Sequence, residues 1–61
     1  MKALLTPGQI AALTLVYKAY KFKKKVERKT IEWVFYRATG IKLGPMYYSI
    51  PIVQKLIELS D

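Results

Sequence analysis

The 61-residue chain contains no cysteine and no histidine. Disulfides, thiolate chemistry, zinc sites of the usual kind and every His-based catalytic arrangement are therefore excluded. Asparagine is also missing and glutamine occurs only twice, a depletion of thermolabile residues beside abundant lysine that points to a thermophile. Only four residues are acidic: Glu27, Glu32, Glu58 and Asp61. All four stand among basic or exposed helical positions. General acid–base work by paired carboxylates needs two of them held together in a cleft, and a chain this short offers little wall for one. Ser49 and Ser60 have no His to activate them. Gly40 to Pro45 holds two glycines but neither the spacing nor the Lys-Ser/Thr ending of a phosphate loop. The expectation is a non-enzyme with no cofactor and no metal.

What is present is apolar and cationic. Apolar residues make up 52% of the chain, too many for intrinsic disorder even at a net charge of +7. Length allows one domain, 1–61, whose small core implies marginal stability unless a partner contributes. The longest charge-free run, Ala3 to Tyr17, is too short to cross a bilayer. No small-residue cleavage site follows Lys2. A cytoplasmic protein with no membrane partner is expected.

Three helical segments are legible. Thr6-Pro7-Gly8-Gln9 is a capping box with Pro at the first helical position, and Leu5 can staple onto Ile10. The helical pattern runs from there to about Lys24. Thr14, Lys18, Lys21 and Lys25 form one narrow polar stripe. Ile10, Leu13, Val16, Tyr17 and Tyr20 make one apolar side, and Ala11, Leu15 and Phe22 the other. A helix apolar over most of its circumference needs cover on two sides. That predicts a homodimer or a larger complex, with Ala11, Leu15, Phe22 and Trp33 at the interface.

The second helix is expected at about 28–39, burying Ile31, Val34, Phe35 and Ala38 and leaving Trp33 and Tyr36 as spare aromatic surface. Its apolar phase continues that of Leu13 and Tyr20, with no Gly or Pro between Gly8 and Gly40. One long helix from 7 to 39 with a solvated middle satisfies the same pattern. Gly40 is suited to a left-handed C′ position, with Ile41 reaching back to Tyr36 in a Schellman ending. Residues Ile41 to Ser49 read as a connection or short helical turn. Pro51 opens a last helix, about 50–59, with Ile52, Val53, Leu56, Ile57 and Leu59 inward.

Charge is concentrated. Lys18, Lys21, Lys23, Lys24, Lys25, Arg28 and Lys29 are seven of the eleven cations, offset within their stretch by Glu27 alone. Phosphate would relieve such repulsion through neutralisation and counterion release, so this run is the principal candidate for nucleic-acid contact. Lys42, Tyr47, Tyr48, Gln54 and Lys55 are further candidates, the tyrosines by stacking on bases or bonding phosphate. A solvated, merely solubilising face is the competing explanation of the lysines.

The order of a capped helix, a polar bridge, Thr30 to Ile41 with its Gly40-Ile41 ending, then Tyr48 and Ile52 to Leu59 resembles the helical core of archaeal winged helix-turn-helix proteins. The resemblance implies an all-α, three- or four-helix, helix-turn-helix-like domain. It also implies DNA as partner, with Gln54 and Lys55 on the helix that enters the major groove. It spans residues 6 to 59, and since the sequence ends at Asp61, where a β-hairpin wing would begin, a wing is expected to be absent. RNA, including ribosomal RNA, explains the same lysines and tyrosines without a wing. A structural subunit of a viral or other assembly, joined through the first helix, is the alternative from another class.

Overall fold

A computed structural model describes residues 5–23 and 25–60. Lys2, Lys24 and Asp61 lie outside the described residues. The order is α1 (Pro7–Tyr20), α2 (Arg28–Thr39), a single 3-10 turn (Pro45–Tyr47) and α3 (Pro51–Glu58). The protein is a small all-α domain in which α1 packs on both α2 and α3.

The capping box forms as its residues dictate. The Gln9 N–H donates to Thr6 Oγ1 at 3.2 Å and the Thr6 N–H donates to Gln9 Oε1 at 2.9 Å. The Gln9 amide also reaches the Thr39 carbonyl at 3.2 Å, tying the start of α1 to the end of α2. Leu5 joins the core while Ile10 stays 39% exposed. Of the apolar side expected on α1, only Leu13 is fully buried, with Val16, Tyr17 and Tyr20 packed partly against the core.

α1 stops at Tyr20, short of Lys24, and the chain does not continue as one helix to Thr39. Val26 supplies the physical reason. It is the single apolar residue among the charges from Lys23 to Lys29, and it is drawn into the core at 4% exposure. Its N–H donates to the Leu59 carbonyl at 3.1 Å, and it makes an isolated parallel bridge with Ser60. Burying Val26 beside the end of α3 takes the link out of helical geometry. Crowding of like charges at helical spacing further disfavours a helix there.

α2 matches its expected bounds and buries Ile31 and Phe35 completely, leaving Val34 and Ala38 half-buried. Gly40 is left-handed (φ 72°, ψ 9°) and its N–H donates to the Tyr36 carbonyl at 2.7 Å. This is the single-bond αL ending rather than the Schellman pattern, because the Ile41 N–H is taken instead by Thr39 Oγ1 at 3.1 Å. A Cβ at Gly40 would meet nothing within 4 Å, so only backbone strain opposes a side chain there. Gly40→Val is therefore expected to cost on the order of 1–2 kcal/mol, a fall in Tm of several degrees, and Gly40→Asn clearly less. Thermal melts of the two variants check this; equal melting for Val and Gly would contradict the αL ending.

Residues 40–50 connect α2 to α3 through the 3-10 turn, and Ile50 caps α3 in an extended conformation as the Pro after it requires. α3 buries Val53 and Leu56 and half-buries Ile52, Ile57 and Leu59. The core consists of Leu5, Leu13, Val26, Ile31, Phe35, Val53 and Leu56. Among the described residues no helix is long and apolar enough to cross a membrane.

Candidate nucleic-acid interface

The lysine run, continuous in sequence, is divided by the fold. Lys18 and Lys21 follow one another across the last turn of α1, where a cation also suits the negative end of the helix dipole. They line a groove between α1 and α3 whose other cation is Lys55, with Tyr17 in its floor. Lys55 Nζ stands 5.9 Å from the Tyr17 ring centre. Lys23 and Lys25 lie on the link, both exposed. Lys29, on the first turn of α2, faces another way and shares an open hollow with Lys42, Trp33 and Tyr36.

These lysines have few anions to answer them. Among the described residues the only ion pair is Arg28–Glu32, 3.8 Å between Nε and Oε2. Arg28 is the member of the run that the fold retains for itself. Its Nη2 donates to the Tyr48 hydroxyl at 2.6 Å, and the guanidinium carbon lies 5.5 Å from the Tyr48 ring centre. Arg28 Nε is shielded from solvent with no hydrogen-bond acceptor. The pair clasps the start of α2 to the end of the 3-10 turn, which leaves Arg28 and Tyr48 less free for a ligand than the neighbouring lysines.

Tyr47 packs partly against the core. Its ring lies 5.5 Å from that of Phe35, tilted by 51°, and the side chain is half-buried against the core. The 3-10 turn turns it inward, an orientation that no local pattern in Gly44-Pro45-Met46-Tyr47 announces. Gln54 and Lys55 are exposed on α3. Tyr36 joins the candidate surface: it is 49% exposed and stacks with Trp33, 58% exposed, at 6.3 Å and 25°. Its position off the buried stripe of α2, three residues from Trp33, was the sequence signal for this.

The four residues expected at a protein interface, Ala11, Leu15, Phe22 and Trp33, are all exposed. Leu15 and Trp33 come together in an apolar groove between α1 and α2. Ala11 and Phe22 lie outside that groove, and the Phe22 ring sits under Lys21 Nζ at 5.0 Å. Among the described residues no group of three His, Cys, Asp or Glu is placed to hold a metal ion.

No family model, curated protein or solved structure matches the chain.

Proposed function

We propose that this protein is a non-catalytic nucleic-acid-binding protein of the cytoplasm, acting on DNA. Lys18, Lys21, Lys23, Lys25 and Lys29 contact phosphate, with Lys24 from the same run. The observation that supports this most is the shortage of internal counter-charge: five exposed lysines lie between residues 18 and 29, yet the lone ion pair among the described residues belongs to Arg28. Cations left unanswered by the fold gain most from a polyanion, through release of its condensed counterions. Lys55 extends the α1 stripe across the groove, and Gln54 beside it offers the amide that can read a base edge. The protein should copurify with nucleic acid, and a high-salt wash should lower the ratio of nucleic-acid to protein absorbance. A ratio already that of pure protein before the wash would count against the reading.

A second reading rests on the apolar groove between α1 and α2. Leu15, 68% exposed, and Trp33, 58% exposed, present adjoining apolar surface there. We propose on this ground that the protein self-associates as a homodimer or joins a larger assembly. Light scattering at micromolar concentration should give a mass above that of one 7.1 kDa chain. Leu15→Gln should weaken association without lowering helix content. A monomeric parent protein would remove this reading and leave phosphate binding untouched.

A further inference from the structure

We infer that Trp33 and Tyr36 form a stacking platform for the unpaired bases of single-stranded DNA, flanked by Lys29 and Lys42 as phosphate contacts. The inference rests on the nucleic-acid reading and specifies which form of DNA this face takes. α2 turns Ile31 and Phe35 into the core, which leaves residues 33 and 36 adjacent on its outer surface. The two rings lie nearly parallel, 6.3 Å apart and 25° inclined, with about half of each residue open to solvent. They line a hollow of about 580 Å³ together with Leu43, and its cations, Lys29 and Lys42, come from α2 and from the connection beyond Gly40.

The chemistry of this hollow distinguishes nucleotides from other occupants. An aromatic floor with cations at its margins matches a base with its phosphates, and stacking is open to every base because each has a π-face. Bases inside a duplex are already stacked and present only their edges, so a flat platform gains nothing from them. Glu32 is the one anion on the margin, and it is drawn to Arg28 at 3.8 Å, which blunts its repulsion of phosphate. Arg37 lies 6.0 Å from the indole ring centre and adds a cation beside the platform.

Trp33 is the only tryptophan, so any change in indole emission arises at this residue. Oligothymidylate of about a dozen nucleotides should quench it on binding, since OB-type and similar grooves engage roughly 4–16 nucleotides. An abasic strand of the same length and charge should bind without quenching. Trp33→Leu should weaken oligothymidylate binding by about tenfold, Trp33→Phe by much less, in line with the worth of one stacked base. Neither variant should change duplex affinity, and both should melt like the parent because the side chain is outside the core. Leu and Phe variants that bind oligothymidylate as tightly as the parent would overturn the platform. Oligouridylate bound about tenfold more tightly than oligothymidylate would overturn the choice of DNA. Emission that shifts with protein concentration alone and then ignores oligonucleotide would assign the face to a second copy and overturn the proposal. Salt-sensitive duplex binding with no quenching by single strands would sink the platform and leave the phosphate reading standing. No binding of either form at about 50 mM salt would sink both.

Discussion

Phe35→Ala is expected to abolish the cooperative thermal transition. Phe35 is completely buried, is the largest such side chain, and supports the Tyr47 ring at 5.5 Å. Truncating a buried phenylalanine costs about 3–5 kcal/mol, transfer and cavity together. A core in a chain this short rarely supplies more than about 3–5 kcal/mol in total. The two quantities are comparable, so the variant should be largely unfolded at room temperature. Its circular dichroism should lose helical signal and decline without a sigmoid on heating. Phe35→Leu, which keeps most of the volume, should retain a transition at lower temperature. A sharp melt for Phe35→Ala within a few degrees of the parent would mean that the seven-residue core is not what holds the helices together.

Replacing Lys21, Lys23 and Lys25 with Gln should leave the fold intact and weaken DNA binding for every sequence alike. All three side chains are exposed and none forms an ion pair among the described residues, so their removal opens no cavity and strands no buried charge. Each phosphate contact contributes about 0.9 to the slope of log K against log salt. Loss of three should flatten that slope by about 2.7. Gln54→Ala should behave differently, altering preference among sequences with little change in slope, as a base-edge contact does. An unchanged slope in the triple variant would move the phosphate contacts to other cations, such as Lys55 and Lys42.

Local chemistry made most of the helix limits readable in advance. Thr6, Pro7 and Gln9 marked the start of α1, Gly40 the end of α2 and Pro51 the start of α3, because each acts within a turn of its own position. The end of α1 was not readable in the same way. It depends on Val26 meeting Leu59 and Ser60, a contact across more than thirty residues that no local pattern encodes. The lysines were legible as a run but not as a surface. The bend at the link sends Lys18 and Lys21 toward Lys55 and Lys29 toward Lys42. Arg28 and Tyr48 were legible as a cation and an aromatic, and only the folded chain brings them into contact with each other. Trp33 and Tyr36 stood off the buried stripe from the start, and the structure adds that their rings lie nearly parallel, 6.3 Å apart.

The salt dependence of DNA binding by the parent protein tests most directly whether the lysines between residues 18 and 29 answer a polyanion. Affinity should be measured by anisotropy from about 50 to 200 mM salt. With about five cations engaged, log K should fall against log salt with a slope near −4.5. A slope indistinguishable from zero, or no binding at the lowest salt, would make the lysines a solvated face and contradict the account.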